Sequence, residues 1–142
     1  GKAKNPWCFK GVQSFPMEYM SNKKSWIKSD IFVKWLSDLD KEMKKQKKKI
    51  LLFVDNYTAH GDLPKLKNIK IEFLPPNTTS KLQPLDQGII KNFKVFYRKE
   101  VVRRFLNSIE DQIPTKFNVM DAMWMASKAW TNVTEQTINN CF

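Results

Sequence analysis

The chain is 142 residues long and carries 25 Lys plus Arg against 14 Asp plus Glu, for a formal charge of +11. Hydrophobic residues at 42% and aromatics at 13% are enough for a core and exclude a disordered tail, and length allows one domain. No apolar run approaches the roughly 20 residues that cross a bilayer and no signal-peptide pattern opens the chain, which excludes membrane insertion.

Residues 1–28 show no helical period, and Gly1, Pro6, Gly11 and Pro16 mark them as connecting loop. Within or after that loop, Met17 to Met20 and Ser25 to Lys28 are short edge-strand candidates. Ser29 is the expected N-cap of the first helix. Phe32, Trp35, Leu36, Leu39 and Met43 then recur at spacings of three and four and fill one sector of a helical wheel, so the helix packs one face on a core. Its end, KEMKKQKKK, stacks lysines at the negative end of the helix dipole, or simply forms a solvated last turn. Five apolar residues without alternation, Ile50 to Val54, have the pattern of a strand covered on both faces in a parallel sheet. A helix or turn around Asp62 to Leu66 leads to a second strand, Ile69 to Leu74, and the short crossover implies parallel pairing.

Pro75 and Pro76 open the twelve-residue loop PPNTTSKLQPLD, a length that marks it as functional or disordered. A helix is expected from about Gln87 to Asn107, with Ile90, Phe93, Tyr97 and Val101 as its apolar stripe and Ile89 and Phe96 beside it. Lys91, Lys94 and Arg98 fall together on an adjacent sector. Asn118 followed by Asp121 reads as a capping arrangement for a helix carrying Met120, Met123, Trp124 and Trp130. Thr134 caps a last helix that the chain end is expected to truncate, and the chain reads as a piece of a longer protein.

The chemistry-bearing residues each have an ordinary use as well as a functional one. Two cysteines, Cys8 and Cys141, cannot staple a secreted mini-protein, and with one His they fall short of a four-ligand zinc site, so a reduced, intracellular compartment is expected. The positive surplus points to a polyanion, most commonly nucleic acid, or equally to a solvated basic surface. Asp55 follows a buried strand, where a carboxylate needs a cation or donors, or else serves as a turn former beside Asn56. Asp86 precedes the long helix as an N-cap would. His60 has equally ordinary roles. Gly88, in the first helical turn, costs about 1 kcal/mol relative to Ala, so either something approaches the backbone there or the glycine is incidental.

The segments VDNYTAH, FLPPNTTSKLQPLDQGIIKNFKVFYRK and SNKKSWIKSDIFVKWL resemble the endonuclease domain of the pogo/Tigger transposases, the Asp-Asp-Asp branch that includes the centromere protein B and jerky relatives. The resemblance covers essentially the whole chain, and the thirty residues between Asp55 and Asp86 agree with it. It implies an α/β, ribonuclease H-like fold of the retroviral integrase superfamily, with residues 1–142 as the C-terminal part of one such domain. Asp55 matches the second acid of the family's triad and Asp86 the third. No residue matches the first, whose strand is expected upstream of Gly1; Glu18 is the nearest acid, and the motif does not reach it. The strand Ile50 to Val54 should therefore have an exposed edge.

The resemblance further implies that three carboxylates of the intact domain, Asp55 and Asp86 among them, hold two Mg²⁺ or Mn²⁺ ions about 3.5–4 Å apart for phosphodiester cleavage and strand transfer on DNA. Lys91, Lys94 and Arg98 would meet the DNA backbone, and the protein would be nuclear, with a homodimer or other protein partners open to the parent. The fragment alone is expected to be inactive. The alternative is a domesticated, non-catalytic nuclear module that associates with DNA or with proteins.

Overall fold

The computed structural model describes residues 1–23, 29–55, 63–75 and 83–142. They fall into two units, Gly1–Lys2 with Met20–Gln83 and Ala3–Tyr19 with Pro84–Phe142.

In the first unit, helix α1 spans Ser29–Lys45, so Ser29 opens the helix itself. Leu36 is its fully buried residue, while Phe32, Leu39 and Met43 are half-buried. Trp35 lies at the rim of the predicted stripe, 46% exposed, with its ring stacked on Phe32 at 5.9 Å. The helix stops without glycine: Lys48 N–H donates to the Met43 carbonyl (3.0 Å) and Lys47 N–H to the Lys44 carbonyl (3.1 Å), with Lys47 in the left-handed region at φ 53°. That pair of bonds satisfies carbonyls a helix end otherwise leaves open.

Strands β1 (Ile50–Val54) and β2 (Ile69–Phe73) pair in parallel, Ile50 opposite Ile69 through Val54 opposite Phe73. The parallel pairing is as expected; the burial is not. Exposure alternates along β1, with Leu51 at 50% and Phe53 at 57% facing outward beside Lys70 and Glu72. An apolar run permits two covered faces but does not require them, and this small sheet is covered on one. Lys70 and Glu72 form an ion pair at 2.7 Å on the open face. Among the described residues, β1 pairs with β2 alone, which leaves its other edge open.

Asp40 of α1 fixes the entry to β2. Its carboxylate accepts the backbone N–H groups of Asn68 (2.7 Å) and Lys67 (3.1 Å), and Asn68 Nδ2 returns to the Asp40 side chain and carbonyl. Of the helix or turn expected around Asp62 to Leu66, neither forms over residues 63–66, and Asp62 lies outside the described residues. Met17 to Met20 make no strand; Met20 instead accepts from the Gly1 ammonium at 2.8 Å. The candidate strand Ser25 to Lys28 is outside the described residues, as are His60, Asn56 and most of the twelve-residue loop.

The second unit opens with loop containing one 3₁₀ turn, Trp7–Phe9, in which Phe9 meets Phe15 and Tyr19 edge-on at 4.7 and 4.9 Å. A π turn, Leu85–Ile89, closed by the Ile90 N–H donating to the Leu85 carbonyl, runs directly into α2, Ile90–Glu110. The helical run thus starts two residues before Gln87. Gly88 departs from helical φ/ψ inside this turn and kinks the run, and across the kink Ile89 is buried (4% exposed) while Ile90 faces outward (37%), the reverse of the predicted stripe. Phe93, Tyr97 and Val101 are half-buried as expected, and Phe93 also meets the Trp130 ring at 6.3 Å. The end of α2 repeats the device seen in α1: Ile113 N–H donates to Ser108, Gln112 N–H to Ile109, and Gln112 sits at φ 55°.

Helix α3, Val119–Thr131, begins with the expected capping box, Asn118 and Asp121 exchanging side-chain and backbone bonds at 3.0 Å. It buries Met123, Met125 and Ala129, while Trp124 and Trp130 are 56% and 53% exposed. This helix is apolar nearly all round, so pattern alone does not select its inward stripe. Glu100 of α2 bridges Lys128 of α3 (2.8 Å) and Arg103 (2.7 Å), and Arg104 pairs with Asp121 at 2.7 Å. Thr134 caps α4, Glu135–Asn139, by accepting from Thr137 N–H. Asn140 is its C-cap, with its N–H donating to the Gln136 and Ile138 carbonyls. No helix among the described residues is long and apolar enough to cross a membrane.

Candidate metal and nucleic-acid site

Asp55 is the first residue beyond β1 and is half-buried. The ladder holds it to the last step: Leu74 N–H donates to the Val54 carbonyl at 2.8 Å, one residue past the end of β2. A carboxylate therefore sits at the C-terminal end of a parallel strand, where α/β sheets commonly present their functional groups.

Asp86 is the second residue of the π turn, and it is exposed. It is not the N-cap. Pro84 holds that place, with helical φ −57° and ψ −33° and no side-chain bond to the first turn. The ordinary use of Asp86 is thus removed, and among the described residues no hydrogen bond or ion pair engages its carboxylate. It lines a depression of about 350 Å³ with Ile90, Lys91, Lys94, Val95 and Arg98.

Spacings of three and four put Lys91, Lys94 and Arg98 on one face of α2. None of the three pairs with a carboxylate among the described residues, whereas Arg103 and Arg104, further along the helix, are both paired. The depression is thus one carboxylate facing three uncommitted cations, with Ile90 and Val95 as apolar walls. Those two walls are not evident from the charge pattern; Ile90, four residues beyond Asp86, is the signal that could have found them.

Asp86, Lys91, Lys94 and Arg98 are brought together in the second unit, and Asp55 belongs to the first. Both acids are hard oxygen donors of the kind Mg²⁺ and Mn²⁺ prefer, so the donor chemistry fits a divalent ion. Among the described residues, no group of three or more His, Cys, Asp or Glu is placed to hold one. Cys8 and Cys141 are free thiols.

The chain was compared with known proteins. It is 36% identical over 138 residues to mouse Tigger transposable element-derived protein 4, covering 97% of this chain and 27% of that protein. It is 26% identical over 145 residues to human Major centromere autoantigen B, covering 100% of this chain and 23% of the relative. Mouse Jerky protein is 28% identical over 155 residues, covering 100% of this chain and 26% of the relative. The chain therefore spans about a quarter of the length of these relatives. No solved structure matches it. The family model described as DDE superfamily endonuclease matches residues 1–142, and with these relatives it shows that the chain belongs to the DDE superfamily endonucleases, in their pogo/Tigger branch.

Proposed function

We propose that the chain is the C-terminal part of a ribonuclease H-like, transposase-derived endonuclease domain that acts on DNA in the nucleus. The observation that carries this reading is the depression in which Asp86 meets Lys91, Lys94 and Arg98, none of them engaged by another described residue. Asp55 and Asp86 would hold Mg²⁺ or Mn²⁺ through carboxylate oxygens in the intact domain, and such ions would supply charge neutralisation at phosphorus and a more acidic water. Lys91, Lys94 and Arg98 receive the phosphates of the backbone and orient the strand. Their contribution to affinity falls with salt and carries no sequence information.

The test is Asp86→Asn in the full-length protein. Magnesium-dependent cleavage of DNA should stop while DNA affinity stays within about twofold, because the three cations are untouched. A comparable loss of DNA binding would make Asp86 a structural residue. Residues 1–142 alone should not nick plasmid DNA.

A second reading, a DNA-associated module without catalysis, draws on the likeness to a relative named as a centromere autoantigen. It predicts DNA binding that Lys94→Ala weakens, with no cleavage to lose in Asp86→Asn.

A further inference from the structure

Gly88 sits two residues beyond Asp86 in the same π turn. Its backbone, φ 172° and ψ −24°, is extended in φ, a conformation any residue can take. The conformation therefore does not require glycine; what crowds a side chain there is one neighbouring atom, which would have to give by a few tenths of an ångström. A Cβ built at Gly88 would stand 3.1 Å from Cys141 Sγ, inside the 3.5–4.0 Å optimum even for two carbons. Cys141 follows α4 directly, and its thiol donates to the Thr137 carbonyl at 3.2 Å. Thr137 is tied in turn to the Thr134 cap through its N–H (3.1 Å) and its hydroxyl (3.0 Å). The sulfur is thus tied to a short, capped helix and stands beside the place a side chain at position 88 would begin, next to the turn that carries Asp86. Ile89, 4% exposed, anchors the same turn from within.

We propose that the contact between Cys141 Sγ and Gly88 is a positioning device for Asp86: the sulfur seats the π turn, and the turn aims the Asp86 carboxylate into the depression with Lys91, Lys94 and Arg98. Cys141 acts through the backbone and touches no substrate. As a positioning role for a metal ligand, the inference rests on the reading of Asp86 given above, but the aiming of the carboxylate can be read without it.

The experiment uses the full-length protein labelled with ¹⁵N-aspartate and two readouts, the Asp86 amide resonance and Mn²⁺ affinity by titration. Gly88→Ala should move the Asp86 resonance and weaken Mn²⁺ binding about tenfold, the low end of what displacing a ligand's support costs. Cys141→Ala alone removes the seat and should also move the Asp86 resonance, whereas in the double variant the methyl at position 88 fills the vacated space and both readouts should return to within about twofold of the parent. Cys141→Ser, which keeps the bond to Thr137, should leave both near the parent values. The proposal is overturned if Gly88→Ala leaves the Asp86 resonance in place, or if removing the sulfur fails to bring it back. Should Asp86→Asn itself leave Mn²⁺ affinity unchanged while the resonance still moves and returns, the positioning stands and the ligand assignment falls.

Discussion

The two units are fastened by carboxylates of the same kind used in opposite ways. In the first, Asp40 reaches from α1 to neutral backbone N–H groups at the entry to β2. In the second, the ion pairs Glu100–Lys128 and Arg104–Asp121 join α2 to α3, with Arg103 beside Glu100 on α2 itself. The cores differ as well. Among the described residues, the first buries Leu36 and Ile69, whereas the second spreads its burial over Ile89, Met123, Met125, Ala129 and Val133. A unit whose described core is two large side chains joined to a neutral clamp should be sensitive to each of them and indifferent to salt. A unit with many smaller contributions and ionic ties should show the reverse.

The largest expected effect is at Leu36. Leu36→Ala should destabilise by about 2–5 kcal/mol, and Met123→Ala should fall at or below the low end of that range because its neighbours share the burial. Calorimetry of each variant checks this; equal losses would erase the contrast in core construction.

The clamps come next. Asp40→Ala should lower the unfolding temperature by the same amount in 0.1 M and 1 M NaCl, since its donors are neutral. Glu100→Gln should cost no more than about 1 kcal/mol and lose most of that effect in 1 M salt. Salt sensitivity at Asp40 would break the comparison. Acid adds a second axis. Hydrogen bonds from the Asn68 backbone, then from Lys67 and the Asn68 side chain, hold the Asp40 carboxyl below its ordinary value. Glu100 is also held low, chiefly by the Lys128 hydrogen bond and with help from Arg103. A depressed folded value means the stabilisation is complete above the unfolded carboxyl range, near about 4, and disappears as pH falls through the lower folded value. Unfolding midpoints followed downward from pH 5 should therefore show Asp40→Ala converging on the parent.

The smallest effect should be the same in both units. Lys47→Gly and Gln112→Gly each relieve a left-handed residue at the close of a helix and should raise stability by about 0.5–1 kcal/mol. A gain at one and a loss at the other would mean that the side chain, not the backbone, sets one of these ends.

Those two positions also explain what could be read from the chain and what could not. The parallel pairing of β1 with β2, the Asn118–Asp121 box and the Thr134 cap were legible because each follows from neighbours in sequence. The ends of α1 and α2 were not, because Lys47 and Gln112 do the work that glycine usually signals. Asp86 looked like a cap for the same local reason, since Asp before a helical stripe normally is one; Pro84 took the place and the kink at Gly88 reversed Ile89 and Ile90 in the stripe. The grouping of Asp86 with Lys91, Lys94 and Arg98 was visible as a helical spacing, while the partner of Gly88 was hidden 53 positions downstream at Cys141. Nor could an unbroken apolar run reveal which side of the sheet would be left uncovered.

That uncovered side has a practical meaning for the polypeptide in a tube. Leu51 and Phe53 are the type of greasy pair that draws one molecule onto another, yet Lys70 and Glu72 occupy the neighbouring positions on the adjacent strand. Placed there, the two charges serve as gatekeepers against clumping, so solubility at high concentration depends on a pair of side chains that contribute little to holding the fold.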